Sequence, residues 1–215
     1  MNLLLKARGT AKENTSYRFY DVNAKMNFEL DKKNHLFISY FKGNDNAAYN
    51  NANSLNYTTD FGNSTGTLRW NHLFGNKTFS NTSVIYNDYN LALSNSQNNY
   101  YSLLYTGVRD ITVKTDFTVT PNTRHKIKIG FTYTRHRLSP ESFSARNPRR
   151  GKRLKINTDS IQKLYSTEMA LYAGDEFDVS EKLSINYGLR FPVFIVSGKT
   201  YSFVEPRITA KLSAG

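Results

Sequence analysis

Strict two-residue alternation over long segments constrains this chain more than any other feature. From Asp21 to Leu30 the odd positions are Asp21, Asn23, Lys25, Asn27 and Glu29, and the even positions are Val22, Ala24, Met26, Phe28 and Leu30. Successive side chains of a strand point to opposite faces, so this segment has one apolar face and one polar face. Leu183, Ile185, Tyr187, Leu189 and Phe191 likewise oppose Ser184, Asn186, Gly188 and Arg190. Ile127, Ile129, Phe131 and Tyr133 oppose Lys126, Lys128, Gly130 and Thr132, and Val204, Pro206, Ile208, Ala210 and Leu212 oppose Glu205, Arg207, Thr209 and Lys211.

A soluble β-sandwich alternates too. Three features point instead to a transmembrane β-barrel. Several strands exceed the roughly 9–11 residues that a tilted membrane strand needs. Tyr and Phe gather toward strand ends, as in an aromatic girdle. The joins alternate between short and long. The pattern predicts an all-β antiparallel meander of nine strands, near 16–30, 35–43, 63–74, 79–90, 99–119, 125–138, 164–178, 183–196 and 201–213. Joins 31–34, 75–78, 120–124 and 179–182 are tight turns rich in turn-forming residues. Joins 44–62, 91–98 and 139–163 are expected as long loops, and 197–200 as a short hairpin on the long-loop side. Short turns face the periplasm in such barrels and long loops face outward.

Some positions resist this pattern. Pro192 and Pro206 fall inside strands, where proline removes a ladder donor, and are expected at a bulge or rim. Asp175 falls on the lipid-facing parity near the turn at Ser180. In 79–90 the parity is open, with Val84 and Tyr86 competing against Ile85 and Tyr89.

Composition fits a barrel and excludes a helical membrane protein. Only 39% of the 215 residues are hydrophobic, yet fifteen are Tyr and fourteen are Phe. The longest apolar runs are a few residues, far short of the roughly 18 that a membrane helix requires. There is no Cys, hence no disulfide framework and no thiolate metal site. Met1–Lys6 lacks the form of a signal peptide, because a three-residue apolar run precedes the charge. A barrel must also close, and bacterial single-chain barrels have even strand counts. Nine strands are therefore expected to be part of a larger barrel: 1–15 a loop or strand remnant, 16–213 barrel strands, and the plug and signal outside the chain.

The net charge of +12 admits two readings. A soluble basic protein would point to an anionic polymer such as nucleic acid. Here the charges are spread over polar strand positions, which favours a polar lumen with solvated loops, and no nucleic-acid partner is expected.

Several motifs, in order, carry a family resemblance. Phe19-Tyr20-Asp21-Val22-Asn23-Ala24-Lys25 leads to Leu36-Phe37-Ile38-Ser39-Tyr40-Phe41-Lys42-Gly43-Asn44-Asp45. Thr67-Leu68-Arg69-Trp70-Asn71-His72-Leu73-Phe74 precedes Phe79-Ser80-Asn81-Thr82. Arg109-Asp110 and Lys114-Thr115-Asp116-Phe117 precede His125-Lys126-Ile127-Lys128-Ile129-Gly130. Leu171-Tyr172-Ala173-Gly174-Asp175-Glu176-Phe177, Tyr187-Gly188-Leu189-Arg190 and Glu205-Pro206-Arg207-Ile208 follow. From about residue 16 onward the chain resembles the barrel of TonB-dependent outer-membrane receptors of the Bacteroidetes type. The resemblance implies a 22-stranded barrel with an N-terminal plug, importing a scarce nutrient (glycan, peptide, siderophore or similar) with energy delivered through TonB. It leaves the cargo open. The other readings are a passive porin or surface-adhesive barrel, and a soluble basic β-domain binding anionic polymer.

Candidate contact residues lie in the expected loops. Residues 43–63 hold seven Asn, and 87–101 hold five. Amides both donate and accept, and aromatic faces stack on sugars or flat ligands, so Asn44, Asn50, Asn53, Tyr57 and Tyr100 are candidate substrate contacts. Arg149, Arg150 and Arg153 belong to a basic cluster, Arg146 to Lys155, suited to an anionic cargo or to lipopolysaccharide phosphates; solvation alone also accounts for it. Arg69, Asn71, Arg190, Glu205 and Arg207 are candidate lumen residues, expected to pair across strands. The expected partners are outer-membrane lipid and lipopolysaccharide, the plug and TonB of the full-length protein, and a surface lipoprotein. His35, His72, His125 and His136 show no metal-ligand spacing, and nothing assembles a nucleophile. Neither a cofactor nor enzyme activity is expected.

Overall fold

The computed structural model describes residues 15–50, 55–97, 100–146 and 163–213. They form one antiparallel sheet of β1 (Thr15–Asp31), β2 (Asn34–Asn50), β3 (Leu55–Leu73), β4 (Thr78–Gln97), β5 (Tyr100–Val119), β6 (His125–Arg146), β7 (Leu164–Asp178), β8 (Leu183–Val196), β9 (Lys199–Ser202) and β10 (Glu205–Leu212). Each strand pairs with the next through β8, which carries both β9 and β10.

Ten segments stand where nine strands are expected, and the difference lies in the last hairpin. Val193 faces Ser202 and Arg190 faces Glu205, so β9 and β10 keep one register on β8. Between these pairs Pro192 has no N–H to give, and the ladder lapses for two residues before resuming. The final strand is therefore a single strand interrupted opposite Pro192. Pro206 sits in the edge segment β10, opposite Leu189.

The larger departure concerns the expected loops. Residues 44–50 and 55–62 continue β2 and β3, 91–97 continue β4, and 139–146 continue β6. Past the membrane both faces of a strand meet water, so the apolar/polar alternation stops while the ladder goes on. Asn, Asp and Ser hold this part across strands. Asn44 and Asn46 donate to Asp60 at 3.2 and 3.0 Å, and Asn56 to Ser96 at 3.4 Å.

Register fixes the two faces. One row runs Phe28, Leu36, Trp70, Thr82, Thr115, Phe131, Leu171, Phe191. The next, two residues farther from the tight turns, runs Met26, Ile38, Leu68, Val84, Val113, Tyr133, Met169, Val193. This settles the open parity of β4. Val84 and Tyr86 lie on the apolar face, and Ile85 and Tyr89 on the polar one.

Nothing in the described chain covers that apolar face. Ala170 is the buried hydrophobic residue among the described ones, whereas Leu171 is 59% exposed, Leu189 58% and Ile208 76%. A water-soluble sheet would leave far more apolar surface bare than soluble monomers tolerate. No described helix is long and apolar enough to cross a membrane, which says nothing of strands.

The turns are closed by short polar side chains. Asp31 accepts from the Lys33 amide at 2.7 Å, Asn122 from Arg124 at 2.9 Å, and Ser180 from Leu183 at 3.1 Å. At the opposite end Ser197 and Gly198 take φ of 50° and 76°, the two left-handed residues of a tight hairpin turn.

Candidate functional site

The polar face is concave. Side chains from β4 to β10 line one hollow on it, from Asn81 through Lys114, Tyr172 and Arg190 to Arg207. A row perpendicular to the strands organises this hollow, with Asn81, Asp116, Gly130, Tyr172, Arg190 and Glu205 standing side by side. Gly130 has no Cβ, and the Tyr172 ring occupies that space, so any side chain at 130 would collide with it. Laid over Gly130, the Tyr172 hydroxyl donates to Asp116 two strands away. Lys114 closes the group, with its Nζ 3.0 Å from Asp116 and 6.0 Å from the Tyr172 ring centre.

The far side of Tyr172 is an ionic chain. Arg190 reaches Glu168 at 3.1 Å and Glu205 at 3.2 Å, and Arg207 reaches Glu205 at 3.2 Å. Below it Gly174 faces Gly188. A Cβ on Gly188 would meet the Ala173 carbonyl oxygen at 2.7 Å, so only glycine fits there. The wall is therefore bare between Lys128 on β6 and Arg207 on β10, which share that row. Lys126 and Glu176 stand beside it, 3.8 Å apart.

The candidates read from sequence distribute over both faces. Arg69 and Asn71 lie on the polar face, opposite Phe37 and His35, and the buried Oδ1 of Asn71 has no hydrogen-bond partner. Arg190, Glu205 and Arg207 lie in the hollow just described. Tyr57 is on the polar side of the extended part, opposite Tyr49 and Asn95. Asn44 and Asn50 take the opposite parity, that of Leu36 and Ile38, and Asn44 is held by Asp60 and the Phe61 carbonyl. Tyr100 opens β5 opposite Gln97. Asn53, Arg149, Arg150 and Arg153 fall outside the described residues.

Several residues of the hollow are invisible to a search by residue type: Lys114, Asp116, Glu168 and Tyr172. Apart from the family-like motifs that contain Lys114, Asp116 and Tyr172, their sequence signal is parity, since each sits at a polar position of a strand whose alternate positions are apolar.

Three of the four histidines have described side-chain partners. The Nδ1 of His72 lies 2.7 Å from Asn34, that of His136 2.8 Å from Asp110, and that of His125 2.6 Å from Asp175. Asp175 also accepts from the Tyr187 hydroxyl at 3.0 Å, through the same Oδ2 that meets His125, whereas its buried Oδ1 has no hydrogen-bond partner among the described residues. No group of three His, Cys, Asp or Glu able to hold a metal occurs among the described residues.

Comparison with known proteins extends this geometry. Residues 3–211 match the family model described as TonB dependent receptor-like, beta-barrel. No curated protein matches the sequence as a relative. Among solved structures, FpvA of P. aeruginosa in its pyoverdine–iron complex is similar over 94% of this chain, with a TM-score of 0.69 at 11% identity. The ferric preacinetobactin receptor BauA of Acinetobacter baumannii gives 0.62 over 94% at 10% identity. The ferric-catecholate import receptor Fiu of E. coli K12 gives 0.61 over 94% at 14% identity. At such identities the likeness shows the fold. The chain spans 34%, 38% and 40% of those three proteins.

Proposed function

Because the chain belongs to the TonB-dependent receptor-like β-barrel family, whose members are outer-membrane transporters and not enzymes, we propose that it builds nine neighbouring strands of the wall of a receptor importing a scarce nutrient by TonB-coupled active transport. The observation that supports this best is the contrast between the two faces. One is apolar and bare, as lipid requires; the other is concave, charged and cross-linked by ion pairs, as a water-filled or plugged lumen requires.

In this reading the parent protein's plug packs against the hollow around Lys114, Tyr172 and Arg190, with Arg69 and Asn71 on the same inner wall. Tyr57 and Tyr100 supply aromatic contacts to cargo at the mouth, together with Asn53 and the basic Arg149, Arg150 and Arg153. Asn44 and Asn50 take part from the outer rim. A surface lipoprotein and lipopolysaccharide are the further partners, and the motif order favours a Bacteroidetes-type receptor. The family match favours the receptor over a passive porin or adhesive barrel, and it rules out a soluble β-domain.

Growth tests this reading. A strain lacking the full-length gene is grown on a panel of iron chelates, glycans and peptides as limiting nutrients. The proposal expects a defect confined to one class and reproduced by loss of TonB. Uniform growth, or uptake indifferent to TonB, contradicts it.

A further inference from the structure

The apolar face ends abruptly in arginines on the side away from the tight turns. On β5 the outward side chains run Phe117, Thr115, Val113, Ile111 and then Arg109; on β6 they run Ile129, Phe131, Tyr133 and then Arg135 and Arg137. Register places Arg109 directly opposite Arg137, with Arg135 opposite Ile111 one step nearer the apolar band. Like charges directly opposed on one sheet face repel. Asp88 on β4 is the one acidic side chain that pairs with them among the described residues, and Arg109 takes it, at 2.5 Å through Nη2 and 2.8 Å through Nε.

The two β6 arginines lack such a carboxylate. Arg135 is held in place all the same. Its Nη1 donates to Thr167 at 2.6 Å, and its guanidinium carbon lies 5.3 Å from the Tyr165 ring centre. Tyr165 is in turn the register partner of Arg137. Arg137 makes no ion pair with a described residue. The Arg135 guanidinium is thus fixed before any anion arrives, with Arg137 on the next outward position of the same strand.

We propose that Arg135 and Arg137, flanked by Arg109, form an outward binding site for the phosphate of an outer-leaflet glycolipid, lipopolysaccharide. The inference rests on the membrane-barrel reading above, which makes this face lipid-exposed and this end external. Guanidinium forks match phosphate oxygens in pairs, and one phosphate between opposed arginines relieves their repulsion. The patch lies immediately beyond Ile111, Tyr133 and Tyr86, where the apolar band ends and, on that reading, headgroups begin.

The test measures binding of fluorescent diphosphoryl lipid A to the purified full-length receptor in mixed micelles. The expected result is a loss of affinity of about tenfold for R135Q/R137Q, the scale of one lost charge-assisted contact. D88N, which frees Arg109, should bind more tightly than the parent. Dephosphorylated lipid A should bind the parent as weakly as diphosphoryl lipid A binds the double variant. Phosphatidylglycerol and inorganic phosphate should compete poorly. Equal affinity of parent and double variant overturns the proposal, provided both migrate as folded, heat-modifiable barrels; so does equal competition by phosphatidylglycerol or inorganic phosphate. Should the double variant misfold, R137Q alone serves, because Arg137 makes no ion pair with a described residue. A parent receptor missing from the outer-membrane fraction would defeat the barrel reading itself, which separates that failure from this one.

Discussion

At the scale of single residues, the hollow is built from a few tight complementarities. Gly130 exists to admit the Tyr172 ring, so Gly130→Ala should displace the ring, break its bond to Asp116 and cost about 1–3 kcal/mol, as overpacking does. Urea titration of the refolded barrel in detergent would read this, and an unchanged midpoint would refute it. Arg190 holds two carboxylates, but both it and Glu205 are 29% exposed and Glu168 is 43% exposed. Solvent screening limits the loss in Arg190→Gln to about 0.5–1 kcal/mol. Adding E205Q should cost less than the sum of the two single changes, since they share one interaction; strict additivity would show that the pair is not coupled. In the turn, the Lys33 amide and the Asn34 side chain hold the Asp31 carboxyl below its ordinary value of 3.8. A carboxylate favoured in the folded state stabilises above its unfolded value, and that contribution fades as pH falls through the lowered folded one. Carbon-detected titration of Asp31 in the folded barrel should therefore give a midpoint below 3.8, and a midpoint at or above it would contradict the turn geometry. The parity of Arg190 and Glu205 was readable from alternation alone. Lys114 with Tyr172 was not, because a Tyr seated on a Gly of the neighbouring strand requires the register.

At the scale of strands, the membrane span and the strand are different lengths. β6 has 22 residues, about 70 Å when extended at some 3.3 Å per residue, well over the hydrocarbon thickness. Alternation marks only the part in lipid, and for that reason the sequence places strand ends where polarity begins on both faces. Asn44–Asn50 and Leu55–Gly62 read as loop for that reason alone. Substitution should expose the boundary. Leu171→Arg, on the lipid face of β7, should cost about 2–4 kcal/mol if it lies near the midplane. Asn46→Arg, on the same parity but beyond the band, should cost little. Equal costs would mean that the apolar band is not a membrane contact. Pro192 makes the complementary point, since a single missing N–H divides the last strand without altering its register.

At the scale of the whole molecule, the described sheet buries hardly any apolar side chain of its own, Ala170 being the buried hydrophobic residue among those described. A soluble protein of this length would bury large side chains between layers, whereas here one layer has a bare apolar face and a charged concave one. Class and family were legible in the sequence because alternation and turn order survive without any tertiary information. The cargo was not, because the residues that would meet it lie where period and register no longer constrain one another. Since the chain contains no cysteine, a single-cysteine scan needs no background substitution within it. The most direct measurement is spin-label accessibility along β6 in the full-length protein reconstituted in bilayers, at positions 126–133 other than Gly130, where the Tyr172 ring leaves no room for a label. Labels at Ile127, Ile129, Phe131 and Tyr133 should relax with oxygen dissolved in lipid, and labels at Lys126, Lys128 and Thr132 should not. Accessibility without a two-residue period, or a water-soluble relaxant reaching both sets alike, would contradict the barrel wall.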